Sequence, residues 1–171
     1  MRAINQLRML LLAAWLGLAI YFSAVVAPSA FAVLRSFDLA NPNEVAGSIV
    51  TKTLSAVNKS GMLFALLALA TGFLIKRHYQ RVWFILQNLL LIIIASSTAI
   101  GEWVIARRMR GLRAAMNGHI DLVPPDDPNR MAFAALHGYS VAALSVAIIA
   151  ALAVILLMIF SQSRIVETAK E

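Results

Sequence analysis

The sequence contains no cysteine, which excludes disulfides, thiolate nucleophiles and thiolate metal sites and leaves the redox state of its compartment unreadable. Charge is scarce as well: 13% of the 171 residues are charged, against roughly 25% in ordinary soluble domains. Acids are the scarcer sign, 8 against 15 Lys and Arg. There is no Gly-x-x-x-x-Gly-Lys phosphate loop, no Gly-x-Ser-x-Gly elbow and no His-Glu-x-x-His, so the common signatures of nucleotide binding and hydrolysis are missing. Of three histidines, His78 and His119 fall in connections and His137 stands alone in a span, which leaves no facing pair to ligate haem. A metal set of Glu102, His119 and His137 with Met109 or Met116 lacks the i, i+4 histidine pair or paired carboxylates that such sites leave in a sequence. No cofactor, no metal and no enzymatic reaction are expected.

What the sequence has is oil. Hydrophobic residues make up 61%, against roughly 45–50% in water-soluble domains, so a bilayer is the expected solvent and one integral membrane domain over residues 1–171 the expected unit. The net charge of +7 does not point to nucleic acid, because the basic residues flank apolar runs instead of forming a reading motif. Lipid phosphates, anionic lipids among them, are the expected counter-charge.

Four spans are expected, over about 9–34, 57–75, 82–106 and 129–160. The first run, with its basic start and Ala30-Phe31-Ala32 ending, imitates a signal peptide but is too long for one, and Pro28 within it reads as a kink freeing the carbonyl of Ala24. Between spans one and two, Asn41 as N-cap and Pro42 at the first helical position open a helix whose Val45, Ile49, Val50, Leu54 and Val57 recur at helical spacing, placed at the interface. The basic turn 76–81 closes a hairpin. Trp83 and Trp103 lie 20 residues apart, about 30 Å along a helix, the spacing of two aromatic belts. Beyond them Arg107, Arg110 and Arg113 share one face and Met109, Leu112 and Met116 another, reading either as an amphipathic extension on lipid headgroups, ending near Gly118, or as a solvated charged face. Asp127 and Pro128 start the fourth helix. Overall this predicts an all-α membrane protein: a four-transmembrane-helix bundle with an interfacial helix between spans one and two and a basic amphipathic extension of span three.

Two helix faces carry polar or small residues: Asn88, Leu91, Ala95, Thr98 and Glu102 on the third span, and His137, Ser140, Ala143, Ala147 and Ala151 on the fourth. Such faces pack against other helices. Glu102, near the exit of span three, and His137, two turns into span four, are also close enough in topology to form a polar pair that relays a proton or binds a cation. The alternative is that Glu102 lies among headgroups beside a surface arginine.

The stretch Tyr21-Phe22-Ser23-Ala24-Val25-Val26-Ala27-Pro28-Ser29-Ala30-Phe31, the Arg- and Met-containing segment after span three, and Phe133 with Leu136-His137-Gly138-Tyr139-Ser140 together resemble the transmembrane-protein-205-like family. That resemblance implies a four-helix membrane domain of unknown function and singles out Pro28, Phe31, Arg110, His137 and Ser140 without a role for any. The expected function is structural or accessory, with self-association allowed. The alternative is a small transporter or channel component for a cation, metal or small solute using Glu102 and His137; against it, the middle of every span is apolar apart from Ser96, Ser97 and Thr98. Lys and Arg divide seven to eight between the two sides, while acids gather on the side away from the termini, which leans toward cytoplasmic N- and C-termini.

Overall fold

The computed structural model describes residues 2–75, 81–117 and 120–168, with side chains over 3–74, 81–117 and 120–160. The expected turn at 76–80, with His78, and the expected stop at Gly118, with His119, lie outside the described residues. Among the described residues six α-helices follow one another: α1 (Arg2–Tyr21), α2 (Ala27–Arg35), α3 (Pro42–Ile75), α4 (Arg81–Ala99), α5 (Ala106–Ala115) and α6 (Pro128–Thr168). A π-helical turn, Phe22–Val26, fuses α1 to α2, and another, Ile100–Ile105, fuses α4 to α5, leaving four long rods. Each rod includes a helical segment of 33 to 35 residues that holds a stretch of 18 apolar enough to cross a membrane. The chain is therefore an all-helical, multi-pass membrane protein. At 1.5 Å per residue such rods measure about 50 Å, well beyond a hydrocarbon core of roughly 30 Å, so their ends project from it.

The caps read from the sequence are where the helices begin. The carbonyl of Asn41 accepts the Val45 N–H at 3.2 Å, with Pro42 opening α3. The Asp127 carboxylate accepts the N–H groups of Asn129 and Arg130 at 2.8 and 3.2 Å, with Pro128 opening α6. The helix expected at the interface is present too, and it runs unbroken into the second span as one 34-residue rod. No proline or glycine pair interrupts residues 48–60, so nothing in the chain turns it there. Pro28 acts one turn earlier than expected: the Ala27 N–H bonds to Phe22 O, five residues back, and the wider turn absorbs the missing donor. α5 ends where Asn117 takes φ 53°, its N–H returning to Ala114 O at 3.0 Å.

The rods form a ring in which α1 packs on α3 and α6, and α4 on α3 and α6. Each presents a seam with alternating three- and four-residue spacing, the pattern of left-handed coiled packing. On α1 it is Asn5, Arg8, Leu12, Trp15, Ala19 and Phe22; on α6 it is Ser140, Leu144, Ala147, Ala151, Val154 and Met158. On α3 it is Asn58, Gly61, Ala65, Ala68 and Gly72, and on α4 Gln87, Leu91, Ile94 and Thr98, continuing to Glu102 in the π turn. Small residues line the seams while Leu63, Leu66 and Leu67 point outward, as expected where lipid and neighbouring helices are equally apolar and backbone approach decides the contact. The closest approach pairs Gly61 with Trp15, whose indole N–H donates to Val57 O at 2.9 Å.

Candidate functional site

The polar residues of the seams collect at the two ends of the bundle. At the end away from the termini, Glu102 is buried in the π turn between α4 and α5. Its Oε1 accepts a 2.8 Å hydrogen bond from Ser55 Oγ and lies 3.3 Å from Lys59 Nζ, both on α3. The carboxylate side chain is 6% exposed and the lysine 58%, so the lysine reaches solvent while neutralising a charge held inside protein. Oε2 of Glu102 is buried and accepts no hydrogen bond among the described residues. Room for this arrangement comes from Gly101, where a Cβ would stand 3.1 Å from Asn58 Nδ2. An extra residue in the turn rotates Glu102 toward α3, in keeping with the frequent use of π turns at functional positions.

One to three turns up α3, a second charged knot joins it to α5. Arg113 Nε lies 3.2 Å from Glu44 Oε1, an ion pair without the alignment of a hydrogen bond. Its Nη1 donates to Ser48 Oγ at 3.4 Å, and its guanidinium lies 5.7 Å from the Phe133 ring centroid on α6. Gly47 lets the guanidinium in: a Cβ there would sit 2.7 Å from Nη2. Between the two ion pairs opens a cleft of about 550 Å³ walled by α3 and α5. Its cationic lining is Lys52, Lys59, Arg110 and Arg113, and its hydroxyls are Ser48, Thr51 and Ser55.

The structure distributes the residues singled out by sequence over several places. Glu102 and His137 do not form the expected pair: Glu102 turns to Ser55 and Lys59, and His137 is exposed. His137 falls seven residues before Leu144 on the α6 seam, but Ala134, Ala135, Gly138 and Tyr139 are exposed as well, so seam position does not bury a side chain at that level. Nor is an arginine the partner of Glu102; its cation is a lysine from another helix. Ser140 is buried. Of the three arginines expected on headgroups, Arg107 and Arg110 are exposed, while Arg113 is drawn into protein by Glu44, Ser48 and the Phe133 ring. Pro28 is exposed, and Phe31 lies under the Arg35 guanidinium at 5.7 Å. Arg35 Nε in turn donates to Asn43 Oδ1 at 2.7 Å, and Asn43 Nδ2 to Asp121 Oδ1 at 2.6 Å, tying the connections together. Among the described residues no three His, Asp or Glu gather as metal ligands would.

Sequence reasoning missed Ser55, Lys59 and Glu44, although Lys59 and Ser55 sit four residues apart and so share a helix face. It also missed the other polar end, where Asn5 and Arg8 are buried, Arg8 Nη1 lies 3.4 Å from Asn5 Oδ1, and Gln87 is buried on α4. There Gly72 leaves space for the guanidinium, since a Cβ would stand 3.1 Å from Arg8 Nη2 and 3.7 Å from Asn88 Oδ1.

No curated relative and no solved structure matches the chain. The resemblance to the transmembrane-protein-205-like family finds no support, since the family whose pattern does match is a different one. Residues 10–118 match that family, a stretch that stops before Leu136-His137-Gly138-Tyr139-Ser140, the most distinctive piece of the supposed resemblance. The other pieces were a short fragment of an apolar span, which membrane helices share through composition, and a basic segment with no fixed motif. Matched over more than half its length, from the first turns of α1 to the end of α5, the chain belongs to the DUF4149 family, a domain of unknown function.

Proposed function

We propose that this protein is a non-enzymatic accessory component of its membrane, able to associate with its own kind, whose projecting α5 end works against lipid headgroups. The carrying observation is the interior. Between the Arg8 end and the Glu102 end lies a layer built from Leu12, Trp15, Ala65, Leu91, Ile94 and Ala147, all buried. Thr98, the polar residue nearest that layer, spends its hydroxyl on Ile94 O at 2.7 Å. A solute path across the bilayer needs polar groups along its length, and this layer offers only the Trp15 indole N–H, already bonded to Val57 O. Arg107 and Arg110, exposed on α5, supply the headgroup contact.

The transporter reading has one observation in its favour, the buried and unpartnered Oε2 of Glu102. Flux measurements on proteoliposomes separate the two. No protein-dependent passage of protons, alkali cations or divalent metals is expected; a flux abolished by Glu102→Gln would replace the accessory reading with transport. For orientation, we propose that both termini are cytoplasmic, on the grounds that Asp38, Glu44, Asp121, Asp126 and Asp127 gather in and around the connections at the opposite end. The cysteine-free sequence makes this easy to test. Asp126→Cys should react with an impermeant thiol reagent applied to intact cells, and a cysteine appended after Glu171 should not; the reverse pattern inverts the topology.

A further inference from the structure

We infer that the cleft between α3 and α5 is a discrete binding site for one phosphate group, with the chemistry shared by lipid headgroup phosphates and free phosphate esters. The inference rests on the reading that this end of the bundle stands at headgroup level, and it goes beyond a charged surface. Four cations face the cleft, and two of them are already matched, Arg113 by Glu44 at 3.2 Å and Lys59 by Glu102 at 3.3 Å. Lys52 and Arg110, both exposed, remain to meet an anion from opposite walls. The hydroxyls are sorted in the same way. Ser55 donates its O–H to Glu102, whereas Ser48 accepts from Arg113 and so keeps its own O–H to donate, beside that of Thr51. Two mobile cations and two hydroxyl donors converging on one space suit the several acceptor oxygens of a phosphate far better than a carboxylate or halide.

Size and depth agree with this ligand. A volume of about 550 Å³ falls within the roughly 300–1,000 Å³ of small-molecule sites and exceeds what a bare ion needs, leaving room for the glycerol or sugar that carries the phosphate. Lys59 is the deepest lining residue on α3, three positions before the apolar stretch that begins at Met62. Across the cleft, Glu102 adjoins Trp103, which is half exposed at the level where aromatic belts sit. The two ion pairs fix the spacing of the walls, so binding needs no rearrangement of the helices. They also limit the site to a single anion, since a second would face the two carboxylates without a spare cation.

The test is native mass spectrometry of protein released from micelles doped with phosphatidylglycerol or phosphatidylcholine, with glycerol phosphate and inorganic phosphate as competitors. One retained phosphatidylglycerol per chain is expected, and Lys52→Ala with Arg110→Ala should lower its occupancy about ten-fold or more at unchanged helicity. Arg107→Ala, outside the cleft, should leave occupancy unaltered. Displacement by millimolar glycerol phosphate or inorganic phosphate assigns the same site to a soluble phosphate compound; retention against both assigns it to lipid. Should the double alanine variant fold poorly, Lys52→Gln with Arg110→Gln carries the same expectation. Equal retention in the parent and the double variant overturns the inference. If Arg107→Ala weakens binding as much as the double variant, the surface is diffuse and only the broader headgroup reading survives; if none of these changes matters, that reading falls too.

Discussion

Replacing Gly61 with alanine adds one methyl group where the bundle has no room for it. The new Cβ would lie 2.6 Å from Cε2 and Nε1 of Trp15 and 2.7 Å from Cζ2, closer than carbon atoms approach without displacement. Trp15 cannot yield freely, because it is fully buried in the core and its indole N–H is bonded to Val57 O at 2.9 Å, one turn below Gly61. Overpacking of this kind costs about 1–3 kcal/mol, and rotating the indole away from Val57 loses about 1 kcal/mol more. Alanine's better helix propensity returns about 1 kcal/mol, so the net destabilisation should be about 1–3 kcal/mol. A double-mutant cycle isolates the cause. Trp15→Phe removes the Nε1 and Cζ2 atoms that collide, so in that background Gly61→Ala should be neutral or slightly stabilising, a coupling of about 1–3 kcal/mol. Reversible unfolding in mixed mild and denaturing detergent, followed by circular dichroism, reads all four corners of the cycle. Penalties that add within about 0.5 kcal/mol would refute the contact as the origin of the effect.

Three further outcomes are expected. Lys59→Met should destabilise the bundle by about 1–2 kcal/mol in the same unfolding assay, less than the roughly 3–5 of a wholly buried pair because the lysine reaches water. Adding Glu102→Gln should recover most of that loss, and no recovery would mean that Lys59 acts through packing instead. Asp127→Ala should cost about 1 kcal/mol by removing the cap that holds the Asn129 and Arg130 N–H groups, whereas Asp127→Asn should cost less than half as much. Finally, Gly138 has open space where a Cβ would go, so Gly138→Leu should leave the monomer as stable or raise its stability by up to about 1 kcal/mol while lowering the oligomer fraction in native mass spectra; an unaltered oligomer fraction removes this face of α6 from self-association.

The parts of this fold legible from sequence are those written in local chemistry. Asn41-Pro42 and Asp127-Pro128 start helices because a residue without an N–H suits the first turn and the Asn41 carbonyl or the Asp127 carboxylate accepts the donors that follow, and neither depends on distant residues. The four apolar runs are legible because length and composition alone decide a span. Partners between helices were not. In water the apolar face of a helix points inward and reveals what it meets, but here Leu66 faces outward and Ala65 inward, so hydrophobicity carries no direction. Size does, and the Ala and Gly positions of α3 were readable as a seam only in hindsight. Glu102 was given the wrong partner for a related reason: topology placed both α3 and α6 beside it, and the π turn that swings it toward α3 has no signature in the sequence. The cleft needed both features, an α3 that stays helical beyond the bilayer and an Arg113 folded inward, and neither follows from residue spacing.

The polar ends give the bundle something its middle cannot. Seams rich in alanine and leucine are nearly self-similar after seven residues, so α3 could slide by one heptad, about 10 Å, and still find apolar partners throughout. Ser55 and Lys59 meet Glu102 at one end of α3, and Gly72 meets Arg8 and Asn88 at the other. Slipping in one direction leaves the Glu102 carboxylate against Met62, and slipping in the other sets Ala65 where Gly72 had stood, its methyl crowding the Arg8 guanidinium. Because the two contacts lie at opposite ends of one helix and join it to different partners, α4 and α1, they fix its height against both at once. The groups that look most like a reaction centre in a membrane helix thus also mark its register, a task in which Lys52 and Arg110 of the cleft take no part.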